Sequence, residues 1–221
     1  YRLDGWYNAI DGVKIGAKFS GNYFNHKHLV EARVLYNTGV EFLGTDEALV
    51  EDRDPISYEV DYKSKVADHT NLKLSSRWMA GWLYNSIGLD KRTHKGIIEL
   101  DFASAKRNNT SYLLYPEFAN NGLDNWVDLS FTRAYKQFNG GGSLKLKTQA
   151  PVLFSDYAYA SVSAELKNNR NVKRMVLRTR AFAQYITGSN VAPEAKLQLS
   201  GANTYQLMDN RYSRAIGWLS P

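Results

Sequence analysis

Residues 56–66 read ISYEVDYKSKV and alternate between apolar and polar side chains over most of their length. In an extended chain successive side chains point to opposite faces. One face carries Ile56, Tyr58, Val60, Tyr62 and Val66, and the other carries Ser57, Glu59, Asp61, Lys63 and Lys65. This period of two predicts a long β-strand with one apolar face and one charged face.

The same alternation recurs along the chain and predicts about ten strands, roughly one per 20–22 residues, the spacing of long tilted barrel strands with turns. No helical periodicity competes over a long window, and no stretch is long and apolar enough for a transmembrane helix. The other predicted strands cover residues 13–23, 28–37, 72–84, 98–102, 127–136, 144–147, 158–167 and 175–185, with a last strand beginning near Ala195.

The polar faces favour a transmembrane β-barrel over a soluble β domain. They mix opposite charges with small residues such as Gly16, Ser130 and Ser161, which suits an interior packed with side chains. The apolar faces carry essentially no charge, and Lys or Arg facing lipid at mid-bilayer costs about 2–4 kcal/mol. Aromatic residues near the ends of apolar faces suit a membrane-interface girdle, and these are Tyr23, Tyr36, Tyr58, Trp82, Tyr84, Trp126, Tyr135 and Tyr185. The alternative is a secreted β-sandwich or lipocalin-like barrel with these aromatics in its core.

We therefore predict an all-β fold, an antiparallel transmembrane β-barrel with about ten visible strands and 12 or more in the full protein. Residues 1–221 form a single barrel domain, expected to be a fragment of a longer chain, since Tyr1 follows no Met or signal sequence. The residues predicted to face lipid are Val13, Ile15, Phe19, Val30, Val34, Tyr58, Val60, Leu74, Trp78, Trp82, Leu129, Phe131, Val162 and Leu177. The charged residues predicted to face the lumen are Lys14, Lys18, Glu31, Arg33, Glu59, Asp61, Lys63, Lys65, Lys73, Arg77, Glu99, Asp101, Asp128, Lys145, Lys147, Glu165, Arg174, Arg178 and Arg180.

The connections between predicted strands differ in length. Residues 25–27 and 67–70 are short, whereas residues 38–55 are long and rich in acids. Short turns at one rim and longer loops at the other are typical of outer-membrane barrels. Two connections depart from this alternation, since residues 106–124 are long where a short turn is expected and the glycines 140–142 form a short turn where a long loop is expected.

The composition narrows the chemistry that the chain can carry. Cysteine is absent, so the chain has no disulfide, zinc knuckle or thiol nucleophile. The net charge is +6, but basic residues are spread along the chain and mixed with acids, which argues against nucleic-acid binding. No H-E-x-x-H, G-x-S-x-G or phosphate-binding glycine motif occurs. We therefore predict no catalytic, cofactor or metal site in this segment.

Three further groups of residues are weaker candidates for a functional site. The carboxylates Glu59 and Asp61 share a strand face at about 7 Å, as Glu99 and Asp101 do, and this spacing suits a glycosidase pair. Basic neighbours make ion pairing the favoured interpretation. His28 and Glu31 lie on opposite faces of one strand, which argues against a metal site. The remaining candidates, Arg174, Arg178 and Arg180, form either an anion-attracting lumen wall or, as we favour, a charge balance with acids on adjoining strands.

Two short motifs resemble a known family. The opening Gly5-Trp6-Tyr7-Asn8…Asp11-Gly12-Val13-Lys14-Ile15-Gly16 resembles the first barrel strand of a family of Bacteroidota outer-membrane barrels, in which a YN…DG…G motif starts a strand. The stretch Gly201…Asp209-Asn210-Arg211-Tyr212-Ser213-Arg214 resembles a G…N…R(S)R motif late in the same barrels. Such barrels occur as surface-antigen-like domains related to the BamA/TamA superfamily and as C-terminal domains of M1-type (gluzincin) metallopeptidases.

The resemblance implies a location in the bacterial outer membrane, with outer-membrane lipid, a fused or associated periplasmic domain or other outer-membrane proteins as partners. It implies zinc only in a peptidase domain N-terminal to Tyr1, since the H-E-x-x-H motif is missing here. Our leading hypothesis is a membrane-anchoring barrel, with a cell-surface or periplasmic metallopeptidase as its cargo. The alternatives are a porin-like or insertase-like barrel that passes solute or polypeptide, and a soluble β domain that binds glycan or lipid.

Overall fold

The computed structural model describes residues 1–8, 11–25, 27–40, 53–110, 112 and 121–196. In this part of the chain eleven antiparallel strands form one sheet, and their order in the sheet follows their order in the sequence. No described helix is long and apolar enough to cross a membrane. The predicted all-β class is confirmed. The strands are β1 (Arg2–Asn8), β2 (Gly12–Tyr23), β3 (His28–Asn37), β4 (Ile56–Ala67), β5 (Thr70–Met79), β6 (Trp82–Arg92), β7 (Ile97–Arg107), β8 (Leu123–Gln137), β9 (Gly140–Pro151), β10 (Ala158–Val172) and β11 (Met175–Asn190).

The register carries the alternation of each strand across the whole sheet. Side chains of directly opposed residues lie on the same face. Leu74, Ile87, Phe102 and Val127 are opposed in turn along β5 to β8 and form one apolar row. The next row, on the other face, contains Lys73, Gly88, Asp101 and Asp128. Each strand therefore contributes its apolar residues to one face and most of its charged residues to the other.

The charged face is concave. Neighbouring strands lie about 4.8 Å apart, so two strands with one other strand between them are about 10 Å apart. Side chains nevertheless bridge that distance on the charged face: Lys63 Nζ of β4 lies 2.7 Å from Asp90 Oδ2 of β6, and Lys73 Nζ of β5 lies 3.2 Å from Glu99 Oε1 of β7. Trp6 of β1 also packs on this face against the buried cluster that contains Trp82 of β6 and Trp126 of β8, so the sheet curls around its charged side and the apolar side is convex.

The two rims of the curled sheet differ. We call one the short-turn rim, formed by residues 24–27, 68–69, 93–96, 138–139 and 173–174. The opposite rim, which we call the long-loop rim, carries connections 9–11, 38–55, 80–81, 108–122 and 152–157. The long connection within 106–124 lies on the long-loop rim, and the short turn next to 140–142 lies on the short-turn rim. In the strand order predicted from the sequence, both break the alternation of long and short connections. The apparent irregularity arose because one strand was missed in the sequence.

The missed strand is β6, and the predicted run 72–84 is corrected accordingly. Ala80 and Gly81 both have positive φ, 52° and 72°, as a two-residue type I′ turn requires. The chain reverses there, and Met79 of β5 is paired with Trp82 of β6. The parity of side chains restarts after the turn, so Trp82 and Tyr84 do not share a face with Leu74 and Trp78.

The ends of the predicted strand set are also corrected. The opening motif, residues 5–16, covers two strands, since β1 ends at Asn8 and β2 begins at Gly12. Ala195, near which the last predicted strand begins, is itself part of a 3₁₀ helix, Pro193–Ala195. Leu197 and Leu199, and the motif from Gly201 to Arg214, lie outside the described residues. β1 and β11 are the two edges of the sheet as described.

Candidate functional site

The convex face is apolar and exposed. Ile15, Leu129 and Val162 are 58%, 51% and 55% exposed, and every acidic side chain of the described strands lies on the opposite face. Burial of apolar side chains is the main driving force for folding in water. A large exposed apolar surface of this kind, spread over most strands, is typical of a face that contacts a membrane or another protein.

Polar side chains on the convex face are few and lie mainly towards its margins. Ser76 donates to Asn85 Oδ1 at 2.8 Å, which satisfies both groups between β5 and β6. On this face Lys91 and Lys106 lie one residue from the ends of their strands, Arg170 lies two residues from the end of β10, and Arg133 lies four residues from the end of β8. Long basic side chains in such positions reach the polar side of an interface while their stems contact apolar surface.

The concave face holds a lattice of ion pairs, which we call the charge lattice. Arg33 contacts Asp4 at 3.0 Å and Glu59 at 3.3 Å, so that it links β1, β3 and β4. Arg77 joins Glu59 at 3.4 Å to Asp61 at 3.4 Å. These side chains are mostly buried, and half-satisfied charges in such a setting would be costly.

The lattice continues across the second half of the sheet. Glu99 accepts from Lys73 at 3.2 Å and lies 3.7 Å from Lys145 of β9. Asp128 pairs with Lys147 at 2.9 Å and accepts from the indole of Trp126 at 2.8 Å. A cavity of about 900 Å³ lies along these residues. Its charged lining residues are Glu31, Asp61, Lys63, Lys73, Arg77, Glu99, Asp101, Asp128, Lys145 and Lys147, so acids and bases balance.

An apolar cluster fills the interior towards the long-loop rim. Met79, Trp82, Ala103, Ala105 and Trp126 are buried, with Trp6 and Tyr84 packed against them. The ring of Tyr84 bridges Trp82 and Trp126, with centroid distances of 6.2 Å to each. We call this the interior aromatic cluster, and it closes off space that would otherwise continue the cavity.

A buried polar cluster adjoins it and connects the long-loop rim to the strands. Asp11, Lys14, Asn37 and Ser57 are at most 1% exposed. The Lys14 ammonium pairs with the Asp11 carboxylate and donates to Ser57 Oγ at 3.1 Å. Tyr112, from connection 108–122, donates its hydroxyl to Asp11 and accepts the backbone N–H of Asp54 at 2.9 Å. One tyrosine thus joins two long connections to the interior.

Two groups of this cluster have shifted pKa values. Burial raises the pKa of the Asp54 carboxyl above its ordinary value, and the hydrogen bond from the Gly81 N–H, at 3.0 Å, only partly offsets this. Burial and then the neighbouring Asp11 carboxylate raise the pKa of Tyr112. The phenol therefore remains neutral and keeps its proton for the bond to Asp11.

Nearly all the residues predicted to face the lumen lie on the concave face, and nearly all those predicted to face lipid lie on the convex face. All the residues predicted to face the lumen lie on the concave face except Arg174, which is in the turn between β10 and β11. All the residues predicted to face lipid lie on the convex face except Trp82, which is 2% exposed inside the interior aromatic cluster. The girdle assignment of Tyr84 and Trp126 is corrected for the same reason. A signal for Trp82 and Tyr84 was the Ala80-Gly81 pair, read as a turn, and a signal for Trp126 was its spacing of two residues from Asp128, which puts it on the charged face.

The catalytic candidates of the sequence are engaged in structural contacts. Glu59 and Asp61 bind arginines, and Glu99 and Asp101 bind Lys73. His28 Nδ1 lies 2.7 Å from the Tyr62 hydroxyl, on the face opposite to Glu31. Within the described ranges no group of three or more potential ligands is placed to hold a metal ion.

The arginine row of β11 divides into two. Arg180 binds Glu165 at 2.5 Å, as a charge balance requires. Arg174 and Arg178 are exposed and have no acidic partner among the described residues. Comparison with known proteins gave no matching family model, no matching curated protein and no matching solved structure.

Proposed function

We propose that this chain is the membrane-spanning β-barrel domain of a bacterial outer-membrane protein and that it serves as an anchor. The observation that carries the proposal is the distribution of side chains between the two faces. Large apolar residues are exposed on the convex face, while acids and their partners lie on the concave face. A soluble sandwich or lipocalin-like barrel would place these apolar residues inside.

Strand length and rim asymmetry support the same proposal. Most strands have 10 to 16 residues, and a transmembrane strand needs about 9–11. Every connection on the short-turn rim has two to four residues, and the two long connections, 38–55 and 108–122, both lie on the other rim, as expected of outer-membrane barrels. Because the short turns of outer-membrane barrels lie on the periplasmic side, the short-turn rim would face the periplasm.

The antiparallel order of the sheet supports an even number of strands in the proposed barrel. β1 and β11 are both odd-numbered, so they run in the same direction and their direct pairing would be parallel. Outer-membrane barrels of single bacterial chains have even numbers of antiparallel strands. We therefore propose that at least one further strand closes the barrel, giving 12 or more.

Occupation of the interior favours an anchor over a conduit. The interior aromatic cluster and the buried polar cluster fill the half next to the long-loop rim, and balanced ion pairs cross the rest. A water-filled pore needs a continuous open path. The cavity of about 900 Å³, lined by residues from β2 to β9, gives the conduit hypothesis its strongest support.

The decisive experiment combines folding and conductance. We expect the refolded chain to require detergent or lipid, to show heat-modifiable gel mobility, and to give no stable conductance in planar bilayers. A chain that remains monodisperse without detergent would contradict the membrane proposal. Regular conductance steps with the wild-type sequence would contradict the anchor and support the porin-like or insertase-like alternative.

The proposed cargo, a metallopeptidase, is based on the sequence resemblance and not on the fold. The motif near Gly5 suggests a gluzincin metallopeptidase on the same polypeptide, whose zinc site would lie upstream of Tyr1. Reading the gene upstream for H-E-x-x-H, followed by zinc analysis of the purified full-length protein, tests this. Absence of the motif from the complete gene would leave the surface-antigen-like barrel as the favoured type.

A further inference from the structure

The hairpin tips β8–β9 and β10–β11 form an exposed basic surface. Five cations for which the described residues provide no acidic partner define it, and we call it the basic tip: Lys136, Arg170, Lys173, Arg174 and Arg178. All five are exposed. Elsewhere in the sheet most concave-face cations have acids, so this surface departs from the pattern of the interior.

The sheet register places these cations around the ends of the two hairpins, on both faces of the sheet. Lys136 of β8 and Arg178 of β11 lie on the concave face, in one row with Gly141 and Asn169. Arg170 lies in the next row, on the convex face, between Gly140 and Leu177. Each of the five cations lies within four residues of a turn, so the positive charge is concentrated where the hairpins end.

Acidic residues are nearly absent from this part of the sheet. Residues 129–155 contain no Asp or Glu, and residues 157–190 contain only Glu165. Glu165 binds Lys167 at 3.1 Å and Arg180 at 2.5 Å, so its charge is already neutralised. The positive charge of the basic tip is thus left for a partner outside the described chain.

Exposed apolar side chains lie among the cations. Phe138 and Met175, at the two hairpin tips, are 102% and 72% exposed, and Leu177 is 54% exposed. Apolar side chains flanked by Arg and Lys are typical of segments at a membrane surface, where stems enter the apolar boundary and charged groups reach the headgroups. A free anion in solution would not explain the apolar residues.

We propose that the basic tip binds the phosphate of an anionic glycerophospholipid in the leaflet at the short-turn rim. This rests on the proposed membrane function and adds a lipid specificity to it. Clustered Arg and Lys next to a membrane attract anionic lipid, and guanidinium groups bind phosphate oxygens in pairs. Arg170 on the convex face and Arg174 in the turn supply planar donors towards the leaflet, and Arg178 adds a third from the other face of the same hairpin.

The test uses the folded full chain in detergent micelles, with retained lipid counted by native mass spectrometry. The probes are phosphatidylglycerol and phosphatidylcholine of the same acyl chains. The variant carries Arg170→Gln, Arg174→Gln and Arg178→Gln, and the matched control carries Lys27→Gln, Lys91→Gln and Lys95→Gln, exposed cations at or near the same rim. We expect phosphatidylglycerol to be preferred, and the preference to fall at least about fivefold in the arginine variant.

Two results would overturn the inference directly: equal retention of both lipids by the wild-type chain, or an equal fall in the preference for phosphatidylglycerol in the lysine control. A third would be binding of a polyglutamate peptide that added phosphatidylglycerol does not weaken, which would assign the surface to an acidic protein segment. Heat-modifiable mobility is measured for each protein to confirm folding. A chain that folds without detergent overturns the proposed function as well, whereas a folded membrane barrel without lipid preference overturns only this inference.

Discussion

Trp78 and Trp82 show how one residue position decides between the two sides of the sheet. Four residues apart, they would share a face in an uninterrupted strand. The turn at Ala80 and Gly81 reverses the chain between them. Trp78 remains on the convex face, and Trp82 packs against Trp126 and Tyr84 in the interior aromatic cluster.

Substitution of these two tryptophans should therefore have unequal effects. Trp82→Ala leaves a cavity in the interior aromatic cluster, and we expect a loss of about 3–5 kcal/mol in the free energy of unfolding. Trp78→Ala, the matched control on the convex face, should cost clearly less, because Trp78 is only half-buried and loses mainly its hydrogen bond to the Asp54 carboxylate. Urea unfolding in lipid vesicles, followed by gel mobility, measures both. Equal losses would refute the face assignment.

Asp54 gives a prediction about pH. Its pKa is raised in the folded protein, mainly by burial, so the folded state binds the proton more tightly than the unfolded state. The contribution of Asp54 is therefore fully present below the ordinary value of 3.8 and is lost as pH rises through the folded pKa. In Asp54→Asn this loss is absent, since the amide does not titrate and its oxygen still accepts from Gly81.

The measurement is unfolding free energy against pH for the wild type and Asp54→Asn. The variant should gain stability relative to the wild type on going upward from about pH 4, and the difference should level off above the folded pKa. Asp68→Asn is the control, because Asp68 lies at the other rim and is exposed. A difference that shrinks as pH rises would have the wrong sign for a raised pKa.

At the scale of the element, strand identity was mostly available from the period of two, but strand boundaries were not. β4 and β8 are long and regular, and their alternation predicts both the strand and its two faces. β6 was missed because its turn lacks the usual Asn-Gly or Asp-Gly pair and uses Ala80 at positive φ. Only the pairing of Met79 with Trp82 reveals the reversal.

A charge placed on β8 tests whether lipid covers the convex face. Leu129 lies in the middle of the apolar row of β8, and Leu123 lies at its beginning on the same face. We expect Leu129→Arg to cost about 2–4 kcal/mol and Leu123→Arg about 0–1 kcal/mol, because the cost falls from midplane to interface. Folding titrations in vesicles measure this difference. A neutral effect at both positions would indicate water on this face.

At the scale of the whole molecule, the open edges test how the barrel closes. The chain has no native cysteine, so introduced pairs report distances without interference. Ala164→Cys with Ala183→Cys is the positive control, because these residues are opposed in β10 and β11. Leu3→Cys combined in turn with cysteine at Ala181, Ala183 or Tyr185 should form no disulfide in the folded barrel, since an intervening strand separates the edges by about 10 Å.

Oxidation of the folded protein in micelles, followed by mass analysis, provides the readout. Efficient linkage of Leu3→Cys to any position on β11 would show direct closure of eleven strands and would contradict the even-numbered barrel. The alternation of apolar and polar side chains in β1 and β11 does not reveal how the barrel closes, because the pairing of edge strands depends on segments far apart in sequence.

The sequence by itself determined that the chain forms long antiparallel strands and which residues of each regular strand share a face. This information is local, since a period of two needs only the order of neighbouring side chains. The tertiary structure decided which face curls inward, which acid each cation binds, and that Trp82, Tyr84 and Trp126 pack inside. These features depend on register and curvature, which arise from pairing between strands and from turns such as Ala80-Gly81, whose effect on side-chain parity extends well beyond the two residues themselves.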